Sequence, residues 1–213
     1  EILLSAYSQG IFPWFDDDQP ILWWSPDPRM VIEIESFEAS RSVRKLIRRG
    51  GFNFSLDAAF EQVIAGCAAP RSDDAGTWIT HEMQSAYLRL HHLGFAHSVE
   101  VWQESTLVGG LYGVAIGSQF FGESMFSKAS NASKAALAIL VEQLRRWGFA
   151  LIDCQVANPH LESLGAIQIQ RSDFLARIAV SCAQHRQQTR WTLDEDLAHS
   201  RGNSEPRYQK VVR

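Results

Sequence analysis

The sequence predicts an α+β fold, with a small α+β N-terminal domain followed by a C-terminal domain built on a mixed β-sheet. The first sixty residues are irregular and contain four prolines, which exclude long regular elements there. From residue 98 onward, alternating and apolar strand patterns are interleaved with one clearly amphipathic helix. A chain of 213 residues, 46% of them hydrophobic, is long enough to bury a sizeable core. We therefore divide it into domains over 1–62 and 63–213.

The first half of the chain is expected to hold one strand and three helices. Residues 30–34 alternate as a short strand, and a basic helix follows over 38–49. A second helix is predicted from Phe54 onward, because its apolar residues share one helical face. Thr80 then caps a third helix, which stops at Gly94.

The second half is expected to follow the order hairpin, strand, helix, strand, helix, strand. The predicted elements are the hairpin strands 98–103 and 107–116, the strand around Glu123, the helix 133–147, the strand 151–156, the helix 158–164 and the strand 167–169. This order resembles the GNAT type of acyltransferase fold, in which a mixed sheet splays around an acyl-donor site. From about Gln184 the tail turns polar, and we expect it to be peripheral.

Composition excludes several classes of protein. The net charge of −4 argues against a basic coat for nucleic acid, although it leaves room for a local patch. Three separated cysteines without a CxxC motif favour reduced thiols in a cytoplasmic protein. The longest apolar stretch, 107–121, is too short and too interrupted by glycine to span a bilayer, and no signal peptide opens the chain, so we expect a soluble protein. The seven histidines show no HExxH or comparable spacing, and we expect no metal.

Glu123 is the most informative single residue. It is a carboxylate within the apolar and aromatic stretch 120–126, and an ionised carboxylate is costly to bury unless something pairs with it. Glu123 therefore either forms a structural ion pair, with Lys128 or Lys134, or belongs to a functional site. Phe126 stands where a nucleophile elbow needs glycine, which argues against a serine hydrolase.

Asp153 and Gln155 form a second candidate pair. They are two residues apart on the predicted strand 151–156, so their side chains are expected to leave the same face. The alternatives are that Asp153 caps a helix or pairs with an arginine, and that Gln155 is a satisfied buried amide.

Five long runs, found in order from Ala6 to about Phe174, carry a family resemblance. They are AYSQGIFPWF, WWSPDPR, TWIT, GGLYGVAIGSQFFGESMFS with NASK, and LIDCQ with NPHLESLGA. Together they resemble the leucyl/phenylalanyl-tRNA–protein transferases of bacteria. The resemblance implies transfer of Leu or Phe, sometimes Met, from aminoacyl-tRNA to proteins that begin with Lys or Arg. The product would be an N-degron for regulated proteolysis in the cytoplasm. It implies no cofactor, and a monomer is the default expectation.

The donor is not expected to be coenzyme A. Acetyl-CoA users carry a glycine-rich loop at the start of the main helix, whose backbone N–H groups hold the pyrophosphate, whereas residues 127–134 contain no glycine. Two other hypotheses stay open: a GNAT-type N-acetyltransferase that uses CoA, and a non-catalytic tRNA- or peptide-binding module.

The resemblance also implies roles for the polar residues. The attacking amine must be neutral, and the ester carbonyl needs stabilisation as charge develops. By resemblance, Asp153 and Gln155 form a hydrogen-bond relay toward the amine, and Glu123 holds the amine or its proton. Replacing Asp153 or Gln155 by Ala is expected to lower turnover with little loss of folding.

The aminoacyl end of the donor needs an apolar pocket and a platform for its terminal adenine. Candidate residues for the aminoacyl site are Leu111, Phe120, Gly122, Leu137, Leu140 and Leu144, although ordinary core packing is the alternative for each apolar side chain. Trp78 is the candidate platform, because it follows a loop of charged and small residues, and Trp23 and Trp24 are weaker candidates.

The tRNA body needs positive charge. The predicted basic helix carries Arg41, Arg44, Lys45, Arg48 and Arg49. Four of these recur at i, i+3, i+4 and i+7, which gives one basic face for phosphates of the acceptor stem. A merely solvated face is the alternative.

Overall fold

Nine strands and eight helices make up the computed structural model, which describes residues 1–15, 20–70, 79–186 and 189–198. The strands are β1 (Phe12–Pro13), β2 (Trp23–Trp24), β3 (Arg29–Glu33), β4 (Asn53–Leu56), β5 (Ala96–Gln103), β6 (Thr106–Ile116), β7 (Gln119–Ser127), β8 (Leu151–Asp153) and β9 (Ile167–Ile169). The helices are α1 (Ile2–Ser8), α2 (Arg41–Arg48), α3 (Phe60–Ala68), α4 (His81–His92), α5 (Ala132–Arg146), α6 (Pro159–Ser163), α7 (Arg171–Cys182) and α8 (Glu195–Ala198). No helix in these ranges is both long and apolar enough to cross a membrane.

Seven strands form one mixed sheet, and β1 and β2 form a separate small hairpin. The order in the sheet is β4-β5-β6-β7-β8-β3-β9. All neighbours are antiparallel except β7 and β8, which are parallel and are joined through α5. A parallel pair needs such a crossover, and α5 supplies it. The predicted α+β class with a mixed sheet is confirmed.

The N-terminal part of the chain contributes to this sheet. Strand β3 lies between β8 and β9, and β4 pairs with β5 at one edge. The predicted division into 1–62 and 63–213 therefore cuts across hydrogen-bonded strands. It stays a prediction about domain organisation, and it does not coincide with a gap in the sheet.

Each face of the sheet carries its own apolar core. On one face, α5 buries its inner stripe and α2 packs against α5. On the other face lie α1, α3, α4 and α7, whose buried residues include Tyr7, Tyr87 and Phe174. Helix α4 begins as predicted, because the Thr80 hydroxyl accepts the N–H of Met83 at 3.2 Å.

Three predictions about the elements are wrong, one of them because the predicted strand 151–156 ends at Asp153. Residues 53–56 form strand β4 rather than the start of a helix, and α3 begins only at Phe60. Pairing with β5 overrides the helical pattern, and Asp57, with φ at 54°, turns the chain between the two elements. The described part of the predicted peripheral tail is also packed on the core, because Trp191 contacts Phe120, Trp147 and Phe149. Residues 199–213 of that tail lie outside the described residues.

Candidate active site

A cavity of about 560 Å³ opens where β7 and β8 separate. Their pairing ends at Phe121 and Asp153, whereas β7 continues to Ser127. The sheet therefore parts beyond this point, and the gap is walled by β6, β7, α5 and the segment that follows β8. Several of the candidate site residues lie around this gap.

The base of the cavity is apolar. Of the predicted aminoacyl-site residues, five line it: Leu111, Phe120, Gly122, Leu137 and Leu140. Leu144, one turn further along α5, is fully buried in the core and does not line the cavity. Ile152 of β8 is a lining residue that the sequence did not indicate. Trp78 lies outside the described residues.

Glu123 lines the same cavity and is held by two tyrosines from the opposite face of the sheet. Tyr7 of α1 donates to Oε1 and Tyr87 of α4 donates to Oε2, each at 2.7 Å. The two hydroxyl oxygens are 2.6 Å apart. Burial raises the pKa of Glu123 to about 7, even though both hydrogen bonds favour the ionised form. Among the described ion pairs, Glu123 has none with Lys128 or Lys134, so the structural alternative of an ion pair is not what holds it.

Asp153 lies behind the cavity rather than on its wall. Its carboxylate accepts two hydrogen bonds from Arg29, at 2.8 and 2.7 Å, and both side chains are fully buried. The Arg29 guanidinium in turn lies between the rings of Phe12 and Phe174, 4.8 and 4.6 Å from their centroids. The structure therefore confirms the alternative that Asp153 pairs with an arginine.

Gln155 lines the cavity, but not for the reason the sequence suggested. Strand β8 ends at Asp153, and Gln155 adopts a left-handed φ of 58°, so the argument that both side chains leave one strand face is wrong. The two residues are linked differently, because the N–H of Gln155 donates to Asp153 Oδ1 at 3.0 Å. The Gln155 amide donates to the carbonyl of Gly122 at 2.7 Å, which ties the segment after β8 to β7.

The cavity mouth is rimmed by aromatic side chains of the small hairpin. Trp14 lines the cavity and is 44% exposed, so it is accessible to a ligand at the mouth. Trp24 supports it, because its indole N–H donates to the Trp14 carbonyl at 2.8 Å. Trp23 and Trp24 are exposed but do not line the cavity. The run AYSQGIFPWF thus contributes both Tyr7 and Trp14, although the sequence argument named neither as a site residue.

The five predicted basic residues are all exposed. They lie on α2 and at its C-terminal end, and Val43 anchors the helix in the core. The described ion pair in this group joins Arg44 to Glu38 at 3.7 Å, in the open solvent. Helix α2 packs on α5, so its charge lies on the face of the sheet that holds most of the cavity wall.

A parallel strand pair that parts around a cavity, with an apolar base and a carboxylate at its edge, defines an α+β protein that can hold a substrate between two strands of its mixed sheet. Comparison with known sequences narrows the class. A profile of leucyl/phenylalanyl-tRNA protein transferase matches residues 31–179, and a profile of the N-terminal domain of that transferase matches residues 1–27. The chain belongs to the leucyl/phenylalanyl-tRNA–protein transferase family.

Relatives from three bacteria show how close the similarity is. The transferase of Hahella chejuensis is 61% identical over 175 residues, which cover 82% of this chain and 75% of that one. Its counterpart in Stutzerimonas stutzeri is 58% identical over 84% of this chain and 80% of that one. The protein of Nitrosospira multiformis is 54% identical over 91% of this chain and 84% of that one. Solved structures superpose only loosely: the C-terminal domain of a putative lysylphosphatidylglycerol synthetase from Agrobacterium fabrum gives a TM-score of 0.45 at 15% identity, over 65% of this chain and 49% of that one.

Proposed function

We propose that the protein transfers Leu or Phe, sometimes Met, from aminoacyl-tRNA to the α-amine of proteins that begin with Lys or Arg. The product is an N-degron that commits the acceptor to regulated proteolysis in the cytoplasm. The observation that carries the proposal is the cavity itself, because one opening brings an apolar base, a half-exposed tryptophan and a carboxylate together. The family of the chain supports it independently. We propose that a monomer is sufficient, since one chain supplies all of these groups.

The donor side chain occupies the apolar base. Leu111 and Phe120 of the sheet and Leu137 and Leu140 of α5 offer only hydrocarbon contact there, which suits Leu and Phe and offers no partner for a polar side chain. Burying such a side chain gains roughly 1.5–3 kcal/mol. Selectivity against Ile and Val then requires a narrow passage next to the Cβ of the donor.

The 3′-terminal adenine stacks at the mouth. Trp14 presents a half-exposed ring on the cavity wall, and stacking of a base on such a ring contributes about 1–3 kcal/mol without sequence preference. The role of Trp78 as a second platform stays a prediction. The phosphates of the acceptor stem contact the basic face of α2, which selects for negative charge rather than for a base sequence.

The reaction is an aminolysis. The neutral α-amine of the acceptor attacks the ester carbonyl, a C–N bond forms, the bond from that carbon to the ribose oxygen breaks, and the amine proton passes to the departing oxygen. Glu123 holds the amine or its proton, since its pKa of about 7 lets both forms exist at neutral pH. Gln155 orients the reacting groups at the cavity wall. Asp153 takes part as a positioning residue, because it fixes the backbone of Gln155 without touching the cavity.

Transfer of labelled Phe tests the proposal. The protein is mixed with labelled Phe-tRNA and a peptide that begins with Arg, with an N-acetylated copy of the peptide as the control. We expect label on the free peptide only. Binding of the tRNA without turnover would instead support a binding module, and acetyl transfer from CoA to the same peptide would support an acetyltransferase.

A further inference from the structure

The apolar pocket has a second aromatic layer behind its wall. Phe120 lines the cavity with only 1% of its surface exposed, and its ring lies over Gly113 of β6. A Cβ at Gly113 would come within 2.6 Å of that ring, so the close approach requires glycine. On another side of Phe120 stands Trp191, with ring centroids 5.8 Å apart. The position of Phe120 is therefore set by these two neighbours.

Trp191 is itself held from several directions. Its ring stacks on His97 with centroids 3.7 Å apart and planes within 4° of parallel. Its backbone N–H donates to Asp57 Oδ2 at 2.6 Å, and the guanidinium of Arg190 donates to the Asp57 carbonyl. Trp147 packs against the same indole at 4.9 Å. These contacts oppose displacement of the indole when a substrate presses on Phe120.

We propose that Trp191 determines donor specificity by fixing the depth of the aminoacyl pocket. This inference rests on the proposed function and adds a residue from the C-terminal segment, which lies outside the cavity wall. With the indole in place, Phe120 is a rigid stop that admits side chains up to the size of Phe. A smaller residue at 191 leaves a void behind Phe120, into which the ring retreats, because close-packed interiors respond to lost volume by moving the neighbouring side chains. The pocket then admits a larger aromatic side chain.

Two variants separate this role from general support of the core. Trp191→Leu removes the indole, whereas Phe52→Leu removes an aromatic ring from the same core, where Phe52 packs against Phe54 at 6.4 Å. The substrates are Phe-tRNA and Trp-tRNA with a peptide that begins with Arg. The measured quantity is the ratio of kcat/KM for the Trp donor to that for the Phe donor.

We expect Trp191→Leu to raise this ratio at least about tenfold, which one added ring in an enlarged pocket can provide. Phe52→Leu should leave it within about twofold of wild type, whatever its effect on stability. A wild-type ratio in Trp191→Leu overturns the inference. If that variant does not fold, Trp191→Phe replaces it with a smaller ring, and a wild-type ratio there overturns the inference equally. Absence of Phe transfer by the wild-type protein would instead contradict the proposed function.

Discussion

Glu123 combines burial with two hydrogen bonds, and these act on its pKa in opposite directions. It lies within a cavity wall, where burial favours the neutral form, yet two tyrosine hydroxyls donate to it and favour the charged form. The balance puts its pKa at about 7, which is where a group that takes up and releases a proton at neutral pH works best. The sequence singled out Glu123 by its apolar neighbours. It could not indicate Tyr7 and Tyr87, because they lie 116 and 36 residues away and arrive from other helices.

The raised pKa of Glu123 predicts how stability depends on pH. Between its ordinary value of 4.5 and about 7, the folded protein binds a proton that the unfolded chain has released. The stabilisation is therefore complete below pH 4.5 and is lost as pH rises through 7. The full shift corresponds to at most about 3 kcal/mol. Urea unfolding from pH 4.5 to 8 should show this decline superimposed on the other titrations.

Glu123→Gln is the control, because its side chain is similar in shape and does not titrate. The difference in unfolding free energy between wild type and Glu123→Gln should change across this pH range, and a constant difference would show that the pKa is not raised. In Tyr87→Phe, which lacks one donor to the ionised form, the decline should move to higher pH.

Because Asp153 forms a buried ion pair with Arg29, Asp153→Ala is expected to lower the stability of the fold as well as turnover. The sequence led us to expect little effect on folding from Asp153→Ala. In the structure this change leaves the Arg29 charge buried without its partner, which typically costs about 3–5 kcal/mol. Thermal unfolding checks this. The double variant Asp153→Leu with Arg29→Met should be more stable than Asp153→Ala, and the opposite order would contradict a role for the pair in folding.

At the scale of elements, the sequence correctly predicted the helices and strands whose conformation follows from their own local hydrophobic pattern. Helix α5 was found from its apolar stripe and the β5–β6 hairpin from its alternation. Strand β4 was not, since four residues carry little pattern and their pairing with distant β5 decides their conformation. The turn at Gln155 was missed for a related reason. Strand β8 ends at Asp153 because its pairing with β7 ends there, and no local sequence pattern shows where that pairing ends.

Helix α2 carries the prediction for tRNA binding. Reversing charge in Arg44→Glu with Arg48→Glu should weaken the binding of aminoacyl-tRNA and lower the slope of log K against log salt by about 2, one unit for each lost phosphate contact. The rate of transfer at saturating tRNA should change little, because neither residue lines the cavity. Filter binding at several salt concentrations provides the measurement.

The matched control lies on the opposite face of the sheet. Arg89 of α4 and Arg177 of α7 are exposed, and Arg177 is paired with Glu33 as Arg44 is with Glu38. Reversing both changes the net charge of the protein by the same amount. An equal loss of tRNA affinity in this control would mean that total charge matters and that α2 is not a specific contact.

At the scale of the whole molecule, one sheet joins strands from both sides of the predicted domain boundary. Strand β3 separates β8 from β9, and β4 covers the edge of β5, so strands on both sides of residue 62 depend on each other. A fragment over 63–213 would lose the partners of three strands, and we expect it not to unfold cooperatively. Circular dichroism during heating tests this against the full chain. A sharp transition in the fragment would show that 63–213 is a domain in its own right.

The central claim is that a single cavity holds the aminoacyl end of the donor against Glu123. The most direct test is the structure of the complex with a puromycin-like analogue, in which an amide replaces the ester of phenylalanyl-adenosine. We expect the phenyl ring between Phe120 and the Leu137–Leu140 stripe of α5, the adenine on Trp14, and the amide carbonyl beside Glu123 and Gln155. An analogue bound elsewhere on the surface, or one whose carbonyl faces away from Glu123, would contradict the account.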